Sequence, residues 1–428
     1  MIKRELYLNK LINKKGNGLI KIITGIRRCG KSFLLFKIFY NHLIESGVKE
    51  ENIIKLALDD DINRGYRNPD KLSEFLRSKI KNKDEMYYIL LDEVQFCISK
   101  QELKNEGQIR LYGILNGLLR LDNVDIYITG SNSKFLSSDI MTEFRGRGDQ
   151  VRVHPLSFSE FYSSPFWSDK YEAWKEYTTY GGLPGLIGKS TDDEKINYLK
   201  DLLTNTYVQD VIERHNLKGD TVIDTLVDIL ASAIGSLTNP TKLANSFKSN
   251  NIKVTDKTIS TYIDYLMDAF MINKARRFDI KGKKYINSPF KFYFTDIGIR
   301  NCRLNYRQQE QNHIMENIIF NELIIRGYNI DVGIIEHINK DKENKQHLTQ
   351  LEVDFVCNKG NNRYYIQSAF SIPNEIKMKQ ETNSLDKIND SFKKIIITQD
   401  LIKPWRNEKG YLFINILDFL LNPNSLNL

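Results

Sequence analysis

The stretch Gly25-Ile26-Arg27-Arg28-Cys29-Gly30-Lys31-Ser32 has residue types and spacing suited to holding a polyphosphate. It fits G-x-x-x-x-G-K-[ST], the P-loop pattern. Gly25 and Gly30 let the main chain wrap close to the anion, and the backbone N–H groups of residues 27–32, Arg28 and Cys29 included, face it with the next helix's N-terminus. Lys31 supplies a point charge to the β- and γ-phosphates, and the Ser32 hydroxyl reaches a Mg²⁺. Cys29 reads as a small residue tolerated in the loop; an oxidation-sensitive thiol is the alternative.

Further polar groups could complete a hydrolytic site. Asp92-Glu93 follows the apolar run Ile89-Leu90-Leu91. In that setting Asp92 helps hold Mg²⁺ and Glu93 activates the attacking water, whereas the competing reading is an acidic cap after a buried strand. Ser131 and Asn132 close another apolar run, where Asn132 could sense the γ-phosphate or simply make a turn. Arg145 and Arg147 flank Gly146; Arg147, ahead of Arg145, is the candidate to stabilise transition-state charge, in cis or from a neighbouring subunit. A solvated basic loop is the rival reading. ATP is favoured over GTP because no guanine-specifying Asn/Thr-Lys-x-Asp motif occurs.

These groups need elements that bring them together. Apolar runs at 19–24, 53–58, 86–91, 124–129 and 150–153 read as strands separated by helical segments. That alternation predicts an α/β fold, a P-loop NTPase with a mostly parallel sheet covered on both faces. Each polar cluster falls at the C-terminal end of a strand, where such sheets bind ligands. Residues 155–220 read as helical and aromatic-rich. Helices at 222–234, 239–248 and 258–269, followed by strand-like pieces over 276–294, match the winged-helix pattern. The stretch Lys274 to Lys284 is the densest basic patch, interleaved with aromatics, and falls where a DNA-binding wing would be. A solvated hairpin or a protein-contact surface is the alternative. Residues 311–428 read as helix, three strands, helix and strand.

Composition sets loose bounds. The chain has 428 residues, 41% hydrophobic, a net charge of +8 and a pI of about 8.9, which permits a nucleic-acid partner without demanding one. Its four cysteines are scattered, which supports neither a disulfide framework nor a zinc site. The N-terminus is charged and no run of eighteen apolar residues appears, so a soluble, cytoplasmic protein without a membrane partner is expected.

The helix–strand–strand–strand–helix–strand order at the end resembles restriction-endonuclease-like nucleases, in which an Asp precedes an Asp/Glu-x-Lys triplet. Glu316, Asp354 and Gln367 fall at the corresponding positions, with Asp354 ending one strand and Gln367 on the next. Here Gln367-Ser368-Ala369 replaces the second carboxylate by an amide and the lysine by an alanine, so metal binding and water activation both suffer.

More broadly, the chain resembles bacterial and archaeal AAA+ ATPases with a C-terminal domain of unknown function. The resemblance rests on Thr24 to Ser32, Leu91 to Gln95, Thr129 to Asn132, Gly146-Arg147, His154 to Phe158, Gly181 to Pro184, Tyr293 to Arg300, Glu352 to Val356 and Tyr365 to Gln367. It implies an ATPase core at 1–160, a helical lid or linker at 161–220, a winged-helix-like segment at 221–305 and a degenerate nuclease-like domain at 306–428. ATP and Mg²⁺ are the expected cofactors. An ATP-hydrolysing switch or motor whose C-terminal half binds duplex DNA is the leading expectation. A nucleotide-gated protein-interaction switch without DNA binding and an ATP-regulated nuclease are the alternatives; a homo-oligomer or a protein partner stands beside duplex DNA among the candidate partners.

Overall fold

The computed structural model describes residues 2–99, 101–102, 109–130, 146–215, 217, 221–249, 252–307, 310–340 and 346–428. Ser131, Asn132 and Arg145 lie outside the described residues. The chain divides into two compact units, Met1–Pro155 with Asp268–Phe270, and Leu156–Met267 with Met271–Leu428.

In the first unit the strands are β1 (Ile20–Thr24), β2 (Ile53–Ala57), β3 (Tyr87–Asp92), β4 (Val124–Thr129) and β5 (Gly148–Arg152). They form a parallel sheet in the order β2-β3-β4-β1-β5. Every residue of β1, β3 and β4 is buried, as a parallel sheet covered on both faces requires. One core gathers Ile20, Ile22, Ile54, Leu56, Ile89, Leu91, Ile126 and Ile128 with helix residues Leu72, Leu76, Leu111 and Leu115. Each such side chain contributes roughly 1.5–3 kcal/mol on burial. Two buried charges interrupt the apolar runs of β1 and β4, and they answer each other: the Lys21 ammonium on β1 is bonded to the Asp125 carboxylate on β4. Gly16 N–H (2.9 Å) and the Tyr127 hydroxyl (2.9 Å) donate to the other Asp125 oxygen.

The second unit opens with helices. Ser157 and Glu160 form a capping box on Phe158–Tyr162, and Thr191 and Glu194 form another on Asp192–Leu202. The helices Thr221–Ser232, Pro240–Ser249 and Asp256–Asp268 lead into a hairpin of β6 (Ile272–Asp279) and β7 (Lys284–Phe294). That hairpin is not a free wing. β6 pairs in parallel with β8 (Asn329–Lys340), which places the hairpin at one edge of an eight-stranded sheet. The sheet continues through β9 (Gln346–Lys359), β10 (Asn362–Ala369), β11 (Lys393–Thr398), β13 (Leu412–Asn415) and β12 (Trp405–Arg406). β8, β9 and β10 are antiparallel neighbours, and β10 runs parallel to β11. With the helices Gln311–Ile325 and Glu375–Thr382, this is a helix–strand–strand–strand–helix–strand core. β9 is longer than its apolar pattern suggests because it continues the hairpin with β8, so Asp354 lies inside the strand and not at its end.

Two of the sequence's glycine-containing motifs meet at one carboxylate. Asp296 is fully buried and accepts N–H bonds from Gly182 (2.7 Å), Gly298 (2.9 Å) and Ile299 (3.3 Å). Burial pushes its carboxyl up to about 6, against the pull of those three donors. A Cβ on Gly298 would lie 1.8 Å from the Tyr180 carbonyl oxygen, and one on Gly182 would lie 2.3 Å from that of Leu156. No helix of the described residues is long and apolar enough to cross a membrane. Because backbone cannot yield as a side-chain tip can, Gly298→Ala should cost about 2 kcal/mol or more, read as a lower urea midpoint at unchanged slope.

Candidate functional site

The loop after β1 is shaped by close backbone approach. Gly25 has φ 140°, and a Cβ there would lie 2.1 Å from the Val153 carbonyl oxygen, just past β5. Only glycine fits that position. Arg28 (φ 63°) and Gly30 (φ 96°) complete the left-handed turns, and a helical segment begins at Lys31. The Cys29 thiol is buried 3.4 Å from the same Val153 carbonyl, so it fills space behind the loop; burial removes the oxidation-sensitive alternative. Lys31 is buried, and its ammonium donates to the Gly25 (3.0 Å) and Ile26 (3.2 Å) carbonyls.

Parallel register carries the acidic pair to the same end of the sheet. Asp92, the last residue of β3, is buried, accepts the Thr129 hydroxyl and lies close to that of Ser32. Burial raises its carboxyl above the usual range, and the two hydroxyls only partly offset this. Glu93 turns left-handed (φ 54°), donates its N–H to Thr129 Oγ1 (3.1 Å), and is partly exposed with its carboxylate bonded to the Gln95 amide. The turn therefore sends one carboxylate inward and the other outward. Thr129, quoted in the sequence motif without a role, is the hinge between them.

Arg147 stands elsewhere. It is exposed at the start of β5, and its carbonyl accepts the Ile20 N–H (2.8 Å) at the opposite end of β1 from Gly25. Five strand residues separate those ends, about 16 Å at 3.3 Å per residue. The sequence expectation left cis and trans action open; within one chain the strand keeps Arg147 away from the P-loop.

The second unit holds a different polar cluster. The Lys291 ammonium on β7 is buried 2.9 Å from Glu316, 2.7 Å from Glu352 and 3.7 Å from Asp354. The Tyr293 hydroxyl donates to the same Glu316 oxygen (2.6 Å), and Ser368 N–H donates to Asp354 (2.8 Å). Burial opposes charge on Lys291, but the three carboxylates outweigh it and hold the ammonium protonated. Burial likewise opposes ionisation of Glu316, yet Lys291 and hydrogen bonds from His313 and Tyr293 bring it below the usual carboxylate range. Asp354 goes the other way, pushed up to about 7 by burial and by the Glu316 charge. Of the expected nuclease-like residues, Glu316 and Asp354 share Lys291, while the Gln367 side-chain oxygen is buried without a partner among the described residues. Lys291 was not singled out in the sequence, and Glu352 was quoted in a motif without a role. The signal was a lone charge in Pro289-Phe290-Lys291-Phe292-Tyr293-Phe294, since a lysine in a buried strand must find an anion.

The basic patch is partly engaged within its own unit. Arg277 is buried and bonded to Gln350 (2.8 Å), and Lys274 lies over the Phe290 ring (3.9 Å). Arg276 stacks on Tyr285 (4.4 Å) beside a hollow of about 510 Å³ that Lys274, Phe278, Tyr328 and Arg363 also line.

Comparison with known proteins fits the P-loop geometry. Residues 17–162 match the family described as AAA domain, and residues 171–310 match a domain of unknown function (DUF8612). An uncharacterized protein of Haemophilus influenzae is 32% identical over 425 residues, covering 98% of this chain and 99% of its own. The chain belongs to that protein's family. An uncharacterized protein of Methanocaldococcus jannaschii, MJ1544, is 27% identical over 435 residues, covering 98% of this chain and 88% of its own. Among solved structures, the Walker-type ATPase paby2304 of Pyrococcus abyssi is similar at a TM-score of 0.49 and 13% identity, covering 71% of this chain and 96% of that one. This family member thus carries an ATP-binding, AAA-type ATPase domain on a P-loop NTPase fold, followed by sequence of unassigned function.

The family member's buried cluster makes a pH prediction. Folded Asp354 keeps its proton to about pH 7, whereas the unfolded chain releases it near 4. Between those values the unfolded state binds fewer protons, so this group's contribution to stability falls as pH rises. Asp354→Asn should remove that descent, seen as a flatter urea-unfolding free energy between pH 5 and 8 than wild type gives.

Proposed function

We propose that this protein is a Mg²⁺-dependent, ATP-hydrolysing switch or motor whose C-terminal half binds nucleic acid. The observation that carries the hydrolytic part is the Ser32 side chain set close enough to the buried Asp92 carboxylate beneath the P-loop to lower its proton affinity. A hydroxyl and a buried, hydrogen-bonded carboxylate are hard oxygen donors at one point, a set that fits Mg²⁺ once phosphate oxygens join it. Bound there, Mg²⁺ would neutralise charge on the phosphates. Lys31 would exchange the Gly25 and Ile26 carbonyls for phosphate oxygens, and the N–H groups around Arg28, Cys29 and Gly30 would cradle them. Glu93, turned outward by its left-handed backbone, would take a proton from the attacking water. Asn132 is kept as the γ-phosphate sensor on the sequence argument alone. Arg147 would reach a γ-phosphate only from a neighbouring copy, which makes a homo-oligomer the active form.

ATP turnover should fall about 100-fold or more in both Lys31→Ala and Glu93→Gln. Glu93→Gln should still bind a fluorescent ATP analogue, since it loses the base and keeps the cradle. Full turnover in either variant would end the assignment.

The nucleic-acid reading is supported by the hollow beside Arg276, where Lys274, Arg276 and Arg363 meet Phe278, Tyr285 and Tyr328. Cations for phosphates beside aromatic faces for bases are the materials of such binding. The winged-helix and nuclease-like descriptions of this half rest on element order, and Gln367 and Ala369 speak against cleavage. The burial of Arg277 and the stacking of Lys274 favour, as the second reading, a nucleotide-gated switch with a protein partner. Gel shifts of the full chain with DNA separate the two. Affinity should fall steeply with salt, and Arg276→Ala with Arg363→Ala should reduce the log–log slope by about 1–2. No shift at low salt would favour the protein partner.

A further inference from the structure

We propose that the Lys291 ammonium is the resident cation of the acidic cluster in the C-terminal core, standing where a nuclease of this topology would hold a divalent metal. The inference rests on the nuclease-like reading of that core. Three carboxylates from two elements, Glu316 on the helix Gln311–Ile325 and Glu352 and Asp354 on β9, converge on one buried nitrogen. Such convergence without a cation would be strongly unfavourable in a buried setting. Lys291 arrives from β7, outside the helix–strand–strand–strand–helix–strand core, so the hairpin edge of the sheet supplies the charge.

The residues present do not fit a metal alongside that lysine. A Mg²⁺ needs near-octahedral oxygen ligands at about 2.0–2.1 Å and several waters. Here the Glu316 oxygen nearest Lys291 also receives the Tyr293 hydroxyl, and one Asp354 oxygen receives the Ser368 N–H. Gln367, on the strand paired with that of Asp354, is neutral, and its buried oxygen has no partner among the described residues. No group of three or more His, Cys, Asp and Glu among the described residues is arranged to hold a metal ion. The ammonium also differs from a metal in what it can do. It balances charge and donates hydrogen bonds, but it cannot bind and activate a water as a Lewis acid. The cluster therefore fixes β7 against β9 and the helix without supplying cleavage chemistry, and its carboxylates would gather on a metal only once the ammonium is gone and their side chains have shifted.

Lys291→Met tests this, because it keeps an unbranched apolar stem and removes the charge. Mn²⁺ binding is followed by electron paramagnetic resonance on the full, nucleotide-free chain, with thermal unfolding in parallel. Wild type should show no Mn²⁺ binding that depends on Asp354. Lys291→Met should unfold several degrees lower, bind about one Mn²⁺, and regain much of the lost Tm in about 1 mM Mn²⁺. Adding Asp354→Asn should abolish both the binding and the recovery. A folded Lys291→Met that binds no Mn²⁺ would overturn the inference and leave the nuclease-like reading standing. Should Lys291→Met fail to fold, wild type against Asp354→Asn decides: Mn²⁺ bound by wild type and lost in Asp354→Asn overturns the inference, and its absence upholds it. Metal-dependent DNA cleavage by wild type, lost in Asp354→Asn, would instead overturn the inactive-nuclease reading itself.

Discussion

The alignment of parallel strands is the constraint on which the P-loop unit depends. β1 lies between β4 and β5, and β4 lies between β1 and β3, all running one way. Parallel ladders bring strand C-termini to a common edge, so Gly25, Asp92 and Thr129 gather there although they are far apart in sequence. The buried Lys21–Asp125 pair ties β1 to β4 across that ladder. A slip in register would strand both charges in an apolar interior, a cost of several kcal/mol. The same alignment separates Arg147 from the P-loop, because the residue that enters β5 stands one strand length from the residue that leaves β1.

The second unit uses buried charge more heavily. Asp296 gathers three N–H groups around glycines that tolerate no Cβ, and so fixes the Gly181-Gly182 turn against the helix Ile297–Arg303. Lys291 gathers three carboxylates and fixes a strand edge to the adjoining core. In both places a single ionised group satisfies several partners at once, which is how a charge is tolerated away from water. The difference is in geometry: Asp296 meets fixed backbone donors, whereas Lys291 meets side chains that a different cation could also satisfy.

Much of this was legible in the sequence, for reasons that differ by element. Four strands of the first unit were visible because each is a mainly apolar run ending in polar residues, and the short Val151-centred β5 was visible from its place after them. Gly25 to Ser32 was visible because phosphate chemistry restricts residue type at fixed spacing. The order of elements in the last 120 or so residues was legible from alternation, but β12, β13 and the helix Ile416–Leu421 were not singled out. Long-range partners left no local mark. Nothing beside Thr129 announces that it bonds Asp92, and nothing beside Lys291 names Glu316, 25 positions away. Strand pattern alone made β6 and β7 a wing; only the pairing of Arg277 through Asp279 with Val332 through Ile334 joins them to the larger sheet.

The two acidic sites differ in what completes them. At the P-loop, Asp92 accepts the Thr129 hydroxyl, and the Lys31 ammonium is held by main-chain carbonyls. Those are weak, exchangeable partners, which the polyphosphate and metal proposed for this site would displace at little cost. In the C-terminal core the carboxylates are already neutralised by a covalently tethered cation at hydrogen-bond distance. Any incoming metal must displace it at the cost of leaving a buried ammonium without its carboxylates. The exchangeable partners of the first site fit the turnover proposed for it, and the tethered cation of the second fits a scaffold.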